Sequence, residues 1–280
     1  MPHLPMARPI ACGQGWAINE FICEAGPEDR PFEEQHDAFT IALVVEGSFN
    51  YRSETGQALL HAGSMLLGNW GQCFSCGHSH SRGDRCVALQ VQPLLFMEIA
   101  ATHAGASAFR FPVGMLPATL ATVPLEIELM GRDGVSTGDV NGMQREESVM
   151  KFVATVLQHV SGATDVVSRI SALDEKRISR VFQYLDATCF DAQSLDDLAD
   201  VAAMSKFHFV RTFKQVAGVT PHKYILGRRL ASVAQRLRTT VEPVSTIAFS
   251  EGFGDLSTFN RLFREVFAMS PSAYRRNFVA

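Results

Sequence analysis

The chain has 280 residues, of which 46% are hydrophobic and 19% charged, and its formal net charge is −4. At roughly 100–200 residues per domain this length holds two domains, and the apolar fraction excludes a disordered chain. No run reaches the ~20 uncharged apolar residues of a membrane-spanning helix. The N-terminus, MPHLPMARPIACGQGW, lacks the continuous apolar core of a secretory signal, so the expected location is the cytoplasm, with no membrane partner.

Residues 17–91 read as short strands. Apolar and β-branched runs (Phe39–Val45, Ser48–Tyr51, Ala58–His61, Met65–Leu67) are punctuated at Gly47, Gly56, Gly63, Gly68 and Gly71, a spacing that predicts a small barrel or sandwich. Residues 94–103 change to a helical pattern. Along 142–160, Val149, Phe152, Val153, Val156, Leu157 and Val160 recur on one helical face, which either packs on its own sheet or forms a dimer seam. Residues 161–175 are polar and serve as the interdomain connection, partly helical or not. From Lys176 onward the pattern is helical, with breaks at Gly218, Pro221, Pro243, Gly252, Gly254 and Pro271.

Within the β-rich part, CFSCGHSHSRGDRC gathers Cys73, Cys76, His78, His80 and Cys86. If residues 76–80 are extended, Cys76, His78 and His80 share a face, and the SRGD turn returns Cys86 toward it. Such soft N and S donors suit Zn²⁺ or another thiophilic metal. A redox pair among the three cysteines, with Arg82 and Arg85 lowering a thiol pKa, is a second reading. Buried cysteines beside surface histidines in a loop is a third. His36, beside Glu33, Glu34 and Asp37, is a lone histidine, better read as a structural residue or ligand contact than as a metal ligand. Trp70 is a candidate for the same barrel mouth, Trp16 for the mouth or the core, and His61 and His103 read as structural or surface residues.

The charge is unevenly divided. Residues 1–174 carry 10 basic and 19 acidic side chains, whereas residues 175–280 carry 15 basic and 10 acidic. The basic part is a candidate for phosphate contact, against the plainer reading of a solvated surface of mixed charge. It also contains a repeat. At an offset of 50, Phe209/Phe259, Arg211/Arg261, Phe213/Phe263, Lys214/Arg264, Val216/Val266, Pro221/Pro271 and Tyr224/Tyr274 align, while Leu198/Ile247 and Ala199/Ala248 align at 49. The second copy therefore has one extra residue near its turn. Each copy reads as a helix-turn-helix, with Ser205 or Asp255 as N-cap and with Phe209, Phe213 and Val216, or Phe259, Phe263 and Val266, buried. The opposite faces carry Lys206, Phe207, Val210, Arg211 and Lys214, and Ser257, Thr258, Asn260, Arg261 and Arg264. Arg grips guanine bidentately, Asn reads adenine, and small or apolar side chains touch base edges.

On SKFHFVRTFKQVAGVTPHKYILGRRLASVAQRL and IAFSEGFGDLSTFNRLFREVFAMSPSAYRR, residues 176–278 resemble the DNA-binding domain of the AraC/XylS family of bacterial transcription regulators. The resemblance implies two recognition helices in adjacent major grooves, with base contacts at Phe207, Val210, Arg211, Leu256, Ser257, Asn260 and Arg261. Two positions depart from the family pattern. Ala268 replaces a usual glycine, which predicts a slightly different turn, and Val210 replaces a polar reader. In order and pattern, the preceding half is similar to the family's cupin-like sensor and dimerising helices.

The resulting expectation is an α+β chain: an N-terminal cupin-like β-barrel with flanking helices, then an all-α double helix-turn-helix domain. The expected divisions are a sensor barrel at 1–100, a helical dimerisation segment at 101–162, a linker at 163–175 and the DNA-binding domain at 176–280. The implied function is a homodimeric, non-enzymatic transcription regulator, an activator or a repressor. Its expected partners are double-stranded DNA, RNA polymerase and a small-molecule or metal effector. A metal-dependent cupin enzyme with an accessory DNA-binding domain is the rival.

Overall fold

The computed structural model describes residues 5–104, 109–131, 142–160, 170–188 and 194–278. Its first half contains β1 (Met6–Gly13), β2 (Trp16–Cys23), β3 (Phe32–Gln35), β4 (Phe39–Ser53), β5 (Gly56–His61), β6 (Met65–Gly68), β7 (Cys73–Gly77), β8 (Asp84–Val91) and β9 (Met115–Leu116). Every pairing among them is antiparallel. One layer runs β1-β2-β8-β4-β6-β9, and the other is formed by β3, β7, β5 and the second half of β4. The long β4 belongs to both. Phe39–Gly47 pairs with β8, and Ser48–Ser53 pairs with β5. A bulge between Val44 and Glu46, followed by Gly47 at φ +79°, turns the strand from one layer into the other. A Cβ at Gly47 would stand 2.4 Å from the Gly83 carbonyl oxygen, so only glycine fits this corner.

Strand parity gives the larger layer two buried faces. Ile18, Ile41, Leu43, Leu67, Val87 and Leu89 point outward into a core shared with α1 (Pro93–Ala104), α2 (Val123–Met130) and α3 (Gly142–Val160). Ala42, Val44, Leu66, Cys86 and Ala88, the alternate residues, point between the layers. Trp16 packs in the outer core. The apolar stripe of α3, Val149 through Val160, is buried in that same core. At roughly 1.5–3 kcal/mol per large side chain, leaving that face bare in a protomer would be prohibitive. The stripe is therefore taken up by the protomer's own core, where α3 packs beside α1 and α2, and is not free to form a dimer seam.

The second half comprises α4 (Ala172–Ala187), α5 (Leu195–Val201), α6 (Lys206–Ala217), α7 (Pro221–Thr239), α8 (Val244–Ser250), α9 (Leu256–Phe267) and α10 (Pro271–Arg276). The Ser171 hydroxyl caps α4 by accepting from the Asp174 N–H at 3.1 Å, so residues 172–175 are helix and not linker; residues 161–169 lie outside the described residues. Two aromatic cores follow the repeat. Phe209, Phe213 and Tyr224 pack with α4 in the first, and Phe259, Phe263, Phe267 and Tyr274 pack with Leu230, Val233 and Leu237 in the second. Phe267, not Val266, takes the third buried place of α9; Val266 is half-buried. Residues 202–205 join α5 to α6 and 251–255 join α8 to α9, which locates the extra residue of the second copy.

The halves are docked through a polar and aromatic seam. Leu59 and Ala118 enter the first helical core, and Val123 and Ile127 of α2 enter the second. His61, fully buried, stacks on Phe182 at 4.2 Å and meets Tyr224 edge-on at 5.3 Å. The Tyr224 hydroxyl donates to the Ala62 carbonyl at 3.0 Å, and Arg228 pairs with buried Glu126 at 2.5 Å. Residues 109–131 are thus wall and docking surface at once, since β9 extends the sheet while α2 packs on α7.

Candidate functional site

Both recognition helices begin on side-chain caps. Ser205 accepts from the His208 N–H at 3.4 Å and Asp255 from the Thr258 N–H at 2.7 Å, each satisfying an N–H that would otherwise lack a partner in the first turn. Both end in a left-handed residue whose N–H returns to the equivalent carbonyl: Gly218 (φ 74°, ψ −10°) to Lys214, and Ala268 (φ 57°, ψ 11°) to Arg264. The expected difference in the second turn is therefore absent. Ala268 adopts the glycine conformation, at a steric cost of about 1 kcal/mol.

On α6, Phe207 is 80% exposed, and Lys206, Arg211 and Lys214 are exposed. On α9, Ser257, Thr258, Arg261 and Arg264 are exposed. Each helix thus exposes basic side chains, and α6 adds an aromatic tip. Several expected readers have prior engagements. Val210 and Leu256 lie partly against the helical cores, and the Asn260 amide donates to the Leu256 carbonyl at 2.8 Å. Lys206 pairs with Asp196 at 2.7 Å and Arg261 with Glu265 at 3.7 Å. Both ion pairs are exposed and worth about 0.2–1 kcal/mol, so a phosphate or a guanine displaces them readily.

Between the two sheet layers lies a cavity of about 260 Å³. Phe21, Phe49, Leu66, Phe74, Ala42 and Ala88 form its apolar wall, and its polar groups include His36, Cys23, Cys76, Cys86, His78 and Asp84. His36 stacks on Phe74 at 4.1 Å, its Nε2 lies 3.0 Å from the Tyr51 hydroxyl, and burial lowers its pKa to about 4. Trp70 is not a lining residue; its side chain is exposed.

The cysteine–histidine cluster is only partly as expected. Alternation along β7 sends Phe74, Cys76 and then His78 inward, which puts Cys73 on the exposed face. The strand ends at Gly77, and beyond it His80 turns away from the cavity toward Glu175 of α4, at 3.8 Å. Cys73 and His80 therefore leave the set. Cys23 and Asp84 join it, because β2 pairs with β8 in a register that sets these two opposite one another. Cys23 Sγ, a His78 ring nitrogen and an Asp84 carboxylate oxygen lie within 4.8 Å of one another, and the His78 Nε2 to Asp84 Oδ2 distance is 2.6 Å. The Cys86 thiol donates to the other Asp84 oxygen at 3.2 Å. At Cys76 and Cys86 the surroundings oppose thiol activation. Burial first and the Asp84 charge second push the Cys76 and Cys86 thiols up, and Arg85 points outward to Glu20 and Glu46. All five described cysteines are free.

A family profile described as a helix-turn-helix domain matches residues 198–277. The transposon Tn10 TetD protein of Escherichia coli is 38% identical over 100 residues, which are 36% of this chain and 72% of that protein. The chain belongs to the AraC family of transcriptional regulators. The right origin-binding protein of Escherichia coli K12 is 43% identical over 84 residues, 30% of this chain and 29% of that protein. A crystal structure of unsaturated-fatty-acid-bound ToxT from Vibrio cholerae aligns over 95% of this chain and 97% of that one, at 14% identity and a TM-score of 0.37. Among the described residues, no helix is long and apolar enough to cross a membrane.

Proposed function

We propose that the chain is a sequence-specific regulator whose two recognition helices, α6 and α9, read successive major grooves, and whose N-terminal, cupin-like domain receives an effector in the cavity between its layers. The observation that carries this reading is the repeated frame itself. Two capped helices, built on equivalent aromatic cores, present Phe207, Arg211 and Lys214, and Ser257, Arg261 and Arg264, to solvent. Lysine and arginine contacts to phosphate hold the protein on the duplex, and the remaining side chains specify sequence. Effector binding shifts the population between docked and DNA-competent arrangements of the helical half, through the seam around His61, Tyr224 and Arg228.

The activity is regulatory and not enzymatic, exercised in the cytoplasm with RNA polymerase as partner. A homodimer uses a surface other than the buried stripe of α3. Fluorescence-anisotropy titration of the full chain, with a duplex enriched from a random pool against a scrambled duplex over a salt series, tests the reading. The expected result is a specific preference of at least about 10³-fold and affinity that falls steeply with salt. Equal affinity for both duplexes would overturn it.

A further inference from the structure

We propose that Cys23, His78 and Asp84 bind one thiophilic divalent cation of the Zn²⁺ type within the cavity, and that this cation is the effector. The inference rests on the regulatory reading above. The three side chains supply one sulfur, one nitrogen and one oxygen within 4.8 Å of one another, a donor set suited to a borderline-soft cation. Cys23 and His78 are buried, and Asp84 is held between the His78 ring and the Cys86 thiol. Cys86 holds Asp84 from outside this set, and the fourth position is left to water or a small molecule in the cavity. All three side chains line the cavity, so this is not a surface acidic cluster.

Occupancy has a mechanical consequence. A tetrahedral cation with bonds near 2.0–2.1 Å holds neighbouring N and O ligands about 3.3 Å apart. The His78–Asp84 pair stands at 2.6 Å and must widen to admit it. Between these two ligands runs the segment that touches the DNA-binding half. The His80 carbonyl accepts from Gln183 Nε2 of α4 at 2.8 Å, the His80 ring lies 3.8 Å from Glu175, and the Ser81 hydroxyl donates to the Ser48 carbonyl. Ser48 itself reaches Ser179 of α4 at 3.4 Å. Widening the pair therefore moves a segment bonded to α4, whose Ile178, Phe182 and Leu185 anchor the first helix-turn-helix.

The test uses the full-length chain, reduced and stripped with chelator, then titrated with Zn²⁺, Cd²⁺ and Co²⁺ salts without DNA. The expected result is one tightly held cation per chain, a thiolate-to-cobalt charge-transfer band, and a ¹¹³Cd resonance in the range of mixed S/N/O ligation. Cys23→Ser and Asp84→Asn should weaken binding at least 100-fold, and Cys23→Ser should abolish the band, whereas Cys73→Ser should change neither. The ¹¹³Cd measurement on wild type stands even if a cavity variant fails to fold. No stoichiometric binding, or equal loss in Cys73→Ser, would overturn the site. With DNA added, Gln183→Ala should keep full cation affinity while losing most of the cation-induced change in DNA affinity. A Gln183→Ala response equal to wild type, or no cation-induced change in wild type, would overturn the effector role while leaving the binding site standing. Failure of the regulatory reading shows separately, as absence of specific DNA binding with or without cation.

Discussion

Replacing His61 with phenylalanine should remove a large part of the chain's acid sensitivity. The imidazole is fully buried at the seam, with Nδ1 3.2 Å from the Ala62 carbonyl oxygen and Nε2 without a hydrogen-bond partner among the described residues. Burial lowers its pKa from 6.5 to about 4, with the Arg228 charge adding to the effect against the opposing Ala62 contact. The unfolded chain gains this proton below pH 6.5 and the folded chain only below about pH 4. Stability is therefore complete above pH 6.5, declines as the pH falls through this window, and levels off below it. At 1.36 kcal/mol per unit, the loss is about 3 kcal/mol. His36, also lowered to about 4, adds a loss of the same sign. Asp186, raised to about 6 mainly by burial, works in reverse: its folded carboxyl takes a proton first, so stability rises as the pH falls from 6 toward 3.8. Because these contributions overlap, the difference between wild type and His61→Phe isolates the histidine. Urea denaturation of both proteins from pH 7.5 to 4 should show the gap in their favour of the variant widen by about 3 kcal/mol. Parallel pH profiles would refute the buried neutral imidazole.

Ala268→Gly should raise stability by about 1 kcal/mol, because it relieves a left-handed alanine. Gly218→Ala should lower Tm clearly, since its Cβ would also meet the Pro117 side chain at 2.7 Å. Glu126→Leu takes one carboxylate from buried Arg228, which Asp186 also faces, and should clearly lower stability in chemical denaturation, whereas adding Arg228→Met should recover part of the loss. Arg261→Ala should cost about 1–3 kcal/mol on the enriched site and relax sequence preference there. Lys214→Ala should weaken all duplexes alike and reduce the salt slope by about 1, as read from anisotropy titrations.

The helical half was legible because its information is local. Cap residues, aromatic spacing and charge all recur at one offset, and Ser205, Asp255, Phe209 and Phe259 occupy their expected places. The strands and the α3 stripe were legible from periodicity, but periodicity cannot say what a stripe packs against. The cavity cluster was legible only in part. Parity along β7 already separated Cys73 from Cys76, a signal present in the sequence. Nothing local joined Cys23 to Asp84, because strand register brings them together. The seam through His61, Tyr224 and Arg228 was hidden for the same reason: each residue reads as ordinary in its own segment.

Selection of binding sites by the full chain from a random duplex pool tests the central claim most directly. Two recurring half-motifs about one helical turn apart are expected, with Arg211→Ala degrading one and Arg261→Ala the other. A pool without enrichment, or a single motif indifferent to both substitutions, would contradict the account.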